Sequence, residues 1–103
     1  LILTLGAGGV LVELLDDAET LLLPATEADI LYALQRLKVA RLLTGYRGTA
    51  QADLPALARF LVRLAAIYET EAHTLTEIEI NPLFVTQTGV WVVDALIHTT
   101  GAA

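Results

Sequence analysis

Three oxygen-bearing side chains lie in the last third of the chain, within segments that otherwise have the composition of strands. Glu79 and Asn81 are separated by a single isoleucine, and Asp94 follows the apolar run Val90 to Val93. Strands usually carry apolar or weakly polar side chains, so carboxylate and amide groups at these positions suggest a role in binding. Mg²⁺ prefers oxygen ligands of this kind in proteins. Glu79, Asn81 and Asp94 are therefore candidate metal ligands.

Two predicted strands, Thr76 to Val85 and Val90 to Ile97, carry these side chains. If the turn between them is centred on Gln87-Thr88, they form an antiparallel hairpin in which Asn81 lies directly opposite Asp94. Directly opposed residues have Cβ atoms about 4.5–5.5 Å apart, so both side-chain oxygens can reach one cation. The sequence therefore predicts a shared ion between the last two strands.

Strict alternation is expected along the first of these strands, which places Glu79 and Asn81 on one face. Ile78 and Ile80 then lie on the other face. Glu79 reaches the ion site diagonally or through a water molecule, as a supporting ligand. An extra residue in the loop at Gly89 would shift the register and turn the paired side chains to opposite faces. A solvent-facing, polar side of an edge hairpin has the same pattern and stays open as an alternative.

The remaining elements are expected to position this hairpin against a core. Strands are predicted at Leu1 to Leu5, Val10 to Leu15 and Glu19 to Leu23, with the third pairing back on the second. Apolar residues at helical spacing predict a helix from Thr26 to about Lys38, a short helical turn stopped by Gly45, and a long helix capped by Asp53. This order predicts the α+β class, with a mainly antiparallel sheet of about five strands and with two main helices and one short helix on one face.

The composition limits the kinds of function. The 103 residues include 6 Lys or Arg and 12 Asp or Glu, which gives a net charge of −6 and a pI near 4.6. This acidity excludes a nucleic-acid binder that works by neutralising phosphates. A hydrophobic content of 55% and a mean hydropathy of +0.63 provide enough apolar surface for a single domain over residues 1–103. Because cysteine is absent, thiolate metal sites and thiol nucleophiles are excluded.

Apolar segments are too short for a membrane span, since no uninterrupted run of about 18 apolar residues is present. The start of the sequence also lacks the features of a signal peptide, so a cytoplasmic location is expected. The strongly apolar composition suggests that part of the surface is covered, either by a second copy or by the rest of a longer chain.

Three segments in order carry motifs of a known family. Gly6-Ala7-Gly8-Gly9-Val10-Leu11-Val12-Glu13 is similar to FGxGGxxVE, and Leu42-Leu43-Thr44-Gly45-Tyr46-Arg47-Gly48 resembles LLxGYRG. Glu77-Ile78-Glu79-Ile80-Asn81-Pro82-Leu83, followed by Val92-Val93-Asp94-Ala95, is similar to an E-[LI]-[DE]-[IV]-N-P-L hairpin and its VDA strand. Together these motifs resemble the NDP-forming acyl-CoA synthetases, whose nucleotide-binding part is an ATP-grasp domain. Three motifs at compatible spacings are far more specific than one, and the resemblance implies the C-terminal part of that domain.

The resemblance implies roles for individual residues. In this family and in the related succinyl-CoA synthetase β chain, the Asn and the Asp of the third motif hold the Mg²⁺ of ATP or ADP, which implies these roles for Asn81 and Asp94. Gly8, Gly9, Glu13 and Arg47 match family positions near the nucleotide and are candidate contacts to it.

These last four residues also have simpler explanations. Glu13 is equally consistent with a charge at an exposed strand end, and Arg47 lies in a loop whose geometry its flanking glycines already explain. Close packing between strands explains Gly8 and Gly9 as well as backbone approach to a phosphate does. Their roles in nucleotide binding therefore depend on the resemblance.

The family activity implies reversible conversion of acyl-CoA, ADP and phosphate into free acid, CoA and ATP, by way of an acyl phosphate and a phosphorylated histidine. His73 and His98 match no family nucleophile, so this chain is expected to hold no catalytic residue and to be inactive alone. The expected partners are the remainder of the ATP-grasp domain and a CoA-binding domain, with self-association through exposed apolar surface. A non-catalytic binding or dimerisation module that kept only the fold is the alternative. Trp91 and Tyr32 are expected in the core or at an interface.

Overall fold

The computed structural model describes residues 1–7, 16–43 and 51–100, without the side chains of residues 41 and 42. Strands β1 and β2 lead into three helices, and strands β3 to β6 follow the last helix. In chain order the elements are β1 (Ile2–Gly6), β2 (Ala18–Leu22), α1 (Glu27–Arg36), α2 (Ala40–Leu43), α3 (Leu54–Thr70), β3 (Leu75–Ile80), β4 (Leu83–Thr86), β5 (Gly89–Val92) and β6 (Ala95–Thr99). The α+β class predicted from the sequence is confirmed.

The helices begin where the sequence predicts. The Thr26 hydroxyl accepts the Asp29 N–H at 3.1 Å, while the Asp29 carboxylate accepts the Thr26 N–H at the same distance. This reciprocal capping box satisfies two backbone donors at the start of α1. At the start of α3, the Asp53 carboxylate accepts the Ala56 N–H at 3.0 Å. Helix α1 ends at Arg36, two residues before the predicted end.

The core lies between α1, α3 and β1. Ile30 is completely buried, and Leu34, Leu57, Leu61 and Leu5 are less than a tenth exposed. The apolar stripes of the two helices meet here because residues three or four apart share one face of a helix. Burying one such side chain contributes about 1.5–3 kcal/mol. This cluster therefore supplies the main apolar contribution to the stability of the described structure.

Strand β2 pairs antiparallel with β1, with Thr4 opposite Thr20. The predicted partner of β2 was the segment from Val10 to Leu15, which lies outside the described residues. Within the described ranges, the observed partner of β2 is β1. The Ala7 N–H also donates to the Asp17 carbonyl at 3.1 Å, which extends this pairing beyond the strands.

The strands that the structure describes pair antiparallel, as predicted, and they do so two by two. Strands β1 and β2, β3 and β6, and β4 and β5 form three two-stranded antiparallel ladders in the described part of the chain. The last two ladders are joined through Asn81–Pro82 and Val93–Asp94, so that β3 and β4 run as one side of a long hairpin and β5 and β6 as the other. Each of the two strands predicted for this hairpin is therefore divided into two shorter strands, and the two breaks lie opposite each other.

Among the charged residues that the structure describes, Asp17 is buried, at 2% exposure. Its two carboxylate oxygens accept the N–H groups of Lys38 and Val39 at 2.5 and 2.9 Å. Because unpaired donors at the link between α1 and α2 would otherwise be costly to bury, this carboxylate fixes the link to the start of β2. The sequence pattern predicted only a turn at Asp16-Asp17.

Candidate functional site

The two candidate metal ligands Asn81 and Asp94 face each other across the hairpin. The Asn81 N–H donates to the Asp94 carbonyl at 3.1 Å. Beyond them, Leu83 pairs with Val92 and Thr86 with Gly89, so that the turn consists of Gln87-Thr88. The predicted register is thereby confirmed, and no extra residue intervenes at Gly89.

Glu79 lies on the same side of the hairpin as this pair. It is two residues before Asn81 on β3 and faces Leu96 on β6, two residues after Asp94. An open cavity of about 120 Å³ is lined by Glu79, Asn81, Asp94, Ala95 and Leu96. The structure therefore brings together all three residues that the sequence singled out, at one depression on the hairpin surface.

The alternation of faces changes phase between β3 and β4. From Ile78 to Val85, along β3 and β4, the half-buried residues are Ile78, Ile80, Leu83 and Val85, which repeat at spacings of two, three and two. We call the side formed by these four the inner face. The opposite face is exposed and is called the outer face. Within β3, β4 and the link between them it is formed by Glu77, Glu79, Asn81, Pro82, Phe84 and Thr86. The prediction of strict alternation over the whole strand is therefore wrong after Asn81.

Backbone hydrogen bonds explain this change of phase. The Asn81 N–H bonds to the Asp94 carbonyl, and the Val93 N–H bonds to the Pro82 carbonyl, both at 3.1 Å. In a regular antiparallel ladder, hydrogen-bonded pairs alternate with non-bonded pairs. Here two successive pairs are bonded, which we call the half-step. The direction in which a residue's backbone groups point fixes the face on which its side chain lies. The two successive bonded residues Asn81 and Pro82 therefore share one face, and the alternation of faces is shifted by one residue from Pro82 onward.

The donor set on the outer face suits a hard cation. Asn81 offers an amide oxygen, and Asp94 and Glu79 offer carboxylates, all three from exposed side chains. Within residues 1–7, 16–43 and 51–100, no cluster of three or more His, Cys, Asp or Glu side chains is placed to hold a metal. Incomplete protein ligation through oxygen is typical of Mg²⁺, which keeps several waters and takes further oxygens from phosphates. The residues therefore fit Mg²⁺ bound with a nucleotide.

The outer face continues beyond the candidate ligands in both directions. At one end, His98 Nε2 lies 3.5 Å from Glu77 Oε1, with both side chains at least half exposed. At the other end, Phe84 faces Trp91 across the hairpin, and these rings are 56% and 58% exposed. Trp91 therefore lies outside the core. Tyr32 is also exposed, at 63%, so neither aromatic residue lies in the core, and the alternative that they lie at an interface stays a prediction.

A larger groove lies behind the hairpin. It has a volume of about 560 Å³ and is bounded by β1, the second half of α3 and residues 76–80 of β3. The Tyr68 hydroxyl crosses one end, where it donates to the Thr76 carbonyl at 3.0 Å. Ile78 and Ile80 of the inner face line this groove together with Glu77 and Glu79.

Four further candidates lie outside the described residues: Gly8, Gly9, Glu13 and Arg47. Their predicted contacts to the nucleotide stay predictions. His73, for which no catalytic role was predicted, is exposed in the turn after α3. No role was assigned from the sequence to Leu96, which lines the cavity, or to Pro82, although the break in the spacing of Ile78, Ile80, Leu83 and Val85 was a usable signal for Pro82.

None of the helices in the described ranges is both long and apolar enough to cross a membrane.

Comparisons with known proteins show the family to which the chain belongs. A family model described as an ATP-grasp domain matches residues 1–99. The beta subunit of acetate–CoA ligase [ADP-forming] II from Pyrococcus furiosus is 33% identical over 98 residues, which cover 93% of this chain and 42% of that protein. Acetate–CoA ligase [ADP-forming] II from Archaeoglobus fulgidus is 38% identical over 92 residues, covering 89% of this chain and 13% of that protein.

The solved structures include a close match. A dinucleotide forming acetyl-coenzyme A synthetase 1 from Ca. Korarchaeum cryptofilum, in complex with coenzyme A and Mg-AMPPCP, has a TM-score of 0.86 and 33% identity. The match covers 95% of this chain and 46% of that one. The chain thus spans less than half the length of these relatives.

Proposed function

Because this chain belongs to the ATP-grasp domain family, with ADP-forming acyl-CoA synthetases as its relatives, we propose that its Asn81–Asp94 pair holds the Mg²⁺ of a bound nucleotide. The observation that carries this proposal is the backbone hydrogen bond from the Asn81 N–H to the Asp94 carbonyl, at 3.1 Å. Hydrogen-bonded pairs of an antiparallel ladder have Cα atoms about 5.5 Å apart, which lets two short oxygen-bearing side chains converge. Glu79 supports the site from the same face, directly or through water.

In this proposal, the chain contributes one half of the nucleotide site of an acid–CoA ligase. The enzyme would convert acyl-CoA, ADP and phosphate reversibly into acid, CoA and ATP, by way of an acyl phosphate and a phosphohistidine. A bound Mg²⁺ would position the phosphates and neutralise their charge during phosphoryl transfer. The side-chain oxygens of Asn81 and Asp94 would be positioned for this role by a hydrogen-bonded ladder, which is more rigid than a loop.

Other groups complete the proposed site. Gly8, Gly9 and Arg47 would contact phosphates, and Glu13 would face the cleft from its predicted strand. The remainder of an ATP-grasp domain and a CoA-binding domain are the proposed partners, and the location would be cytoplasmic. The chain covers only 42% of the beta subunit from Pyrococcus furiosus and 46% of the solved structure from Ca. Korarchaeum cryptofilum. We therefore expect the 103 residues alone to be inactive.

A second candidate function is a non-catalytic binding or dimerisation module. The observation that favours it is the exposure of large apolar side chains along the hairpin, where Phe84, Trp91, Val93, Leu96 and Ile97 are each more than half exposed. Exposed apolar patches of this kind often mark interaction sites. Such a module would self-associate without regard to Mg²⁺ or nucleotide.

Calorimetry of ADP and ATP binding to the full-length protein, with and without Mg²⁺, tests the metal site. We expect Asn81→Ala and Asp94→Asn each to weaken the Mg²⁺-dependent component at least tenfold. Removing an oxygen ligand or its charge leaves the cation with too few protein contacts. Gln87→Ala, which removes an exposed amide at the turn of the same hairpin, is the matched control and should change nothing. Unchanged binding in both ligand variants would exclude the proposed site and favour the module.

A further inference from the structure

The hairpin must satisfy two demands that a regular ladder cannot meet together. Asn81 has to point outward with Glu79, whereas Leu83 and Val85 pack against the core. Side chains of a regular strand alternate with a period of two. If the alternation of β3 ran unchanged into β4, Leu83 would share the exposed face of Asn81. If the alternation of β4 ran back into β3, Asn81 would turn inward.

The half-step resolves this conflict at one position. Its two bonded pairs are Asn81 with Asp94 and Pro82 with Val93, and the apolar spacing lengthens from two residues to three at this point. The ligand pair therefore stays on the exposed face while the next two apolar residues return to the core. The same half-step keeps Phe84 exposed, beside the ligands on the outer face.

Pro82 has the chemical properties that a half-step requires. It has no N–H, so its pair with Val93 holds only the bond from the Val93 N–H, where a regular bonded pair exchanges two. The ring also fixes φ near −65°, far from the approximately −140° of an antiparallel strand. In addition, a proline keeps the residue before it in an extended conformation. These constraints act on Asn81 directly.

We propose that Pro82 is a positioning residue, which holds the Asn81 side chain beside Asp94 by imposing the half-step on the hairpin. This inference rests on the proposed function of the pair. Pro82 itself offers no side-chain ligand and acts only through Asn81. A residue other than proline at position 82 can donate an N–H and relax towards strand geometry. The ladder then regains regular alternation, and the Asn81 side chain no longer lies beside Asp94.

The test measures Mn²⁺ binding to the full-length protein by electron paramagnetic resonance, with Pro82→Ala as the variant. Mn²⁺ replaces Mg²⁺ as the probe because its unbound form is directly counted. We expect the affinity for Mn²⁺ to fall about tenfold, with the fold retained. Pro55→Ala removes an exposed proline from the first turn of α3, outside the hairpin, and should leave the affinity within twofold of the wild type.

Three variants separate the two proposals. If Asn81→Ala loses Mn²⁺ and Pro82→Ala binds it as the wild type does, the positioning role is wrong and the proposed function stands. If Asn81→Ala binds Mn²⁺ normally, the proposed metal site fails, and the positioning role fails with it. Weakened binding in Pro82→Ala but not in Pro55→Ala supports the positioning role.

Amide hydrogen exchange provides a readout that does not depend on the metal. In the wild type, the Asn81 and Val93 amides should both be protected, because neighbouring pairs are bonded. In Pro82→Ala, one of these two amides should exchange at least tenfold faster, since regular alternation leaves only one of the pairs bonded. If Pro82→Ala does not fold, the wild-type measurement still decides: rapid exchange at either amide would show that the half-step is absent.

Discussion

The helical core and the long hairpin differ in what holds them in place. In the core, Ile30 is completely buried and Leu57 is 5% exposed. In the hairpin, every residue of β6 is exposed, and the inner face is only half-buried. The core is stabilised by apolar burial, whereas the hairpin is held by backbone hydrogen bonds and a few apolar contacts.

This difference separates stability from the proposed binding role. A cation with waters and phosphates needs exposed oxygen ligands, which a closely packed core cannot provide. The hairpin carries the candidate ligands on a surface that contributes little apolar burial, and the half-step connects that surface to the core through Leu83 and Val85. Variants of the same residue type in the two regions can test whether this separation is real.

The largest effect is expected from deleting the same side chain in each region. Ile30→Ala should lower the free energy of unfolding by about 2–5 kcal/mol, because it leaves a cavity at a fully packed position. Ile97→Ala, at a site that is 58% exposed, should lower it by less than about 1 kcal/mol. Native-state hydrogen exchange of α1 and α3 amides in the full-length protein measures both. Equal losses would show that the hairpin is as much a part of the core as α1 is.

A smaller effect is expected where a polar group is buried in the helical region. Asp17→Asn replaces one accepting oxygen by an NH₂ group that faces a backbone N–H, so the free energy of unfolding should fall by about 1–3 kcal/mol. The neighbouring Asp16 is exposed and has a φ of 51°, a conformation that Asn also tolerates. Asp16→Asn is therefore the matched control, with little change expected. The same exchange measurement applies, and a loss shared equally by both variants would contradict the role of Asp17 in fixing the link between α1 and α2.

Local signals explain what could be predicted from the sequence. The caps at Thr26 and Asp53 depend on residues three positions away, and the register of the hairpin follows from its two-residue turn. Asp17 could not be assigned because its partners Lys38 and Val39 are more than twenty residues away, and only the fold brings them together. The burial of these backbone donors has no signature in local sequence.

The candidate site was predictable in part for the same reason. The pairing of Asn81 with Asp94 follows from counting outward from the turn, and the structure confirms it. The half-step was missed because it depends on which successive pairs across the hairpin are bonded. The sequence left Trp91 open between the core and an interface, because an aromatic side chain in a strand gives no local sign of its face once alternation has shifted.

The smallest effect is expected at Trp91, and its size sharpens the comparison most. Truncating a buried aromatic residue typically costs about 3–5 kcal/mol, but Trp91 is 58% exposed and its main described neighbours are Phe84 and Thr86. A cross-strand pair of this kind contributes about 0.2–1 kcal/mol. We therefore expect Trp91→Ala to lower the free energy of unfolding by about 0.5 kcal/mol, close to the effect of Tyr32→Ala on the surface of α1. A loss above about 2 kcal/mol, measured by exchange at the β4 and β5 amides, would place Trp91 in a packed interface and assign a stabilising role to the hairpin's outer face.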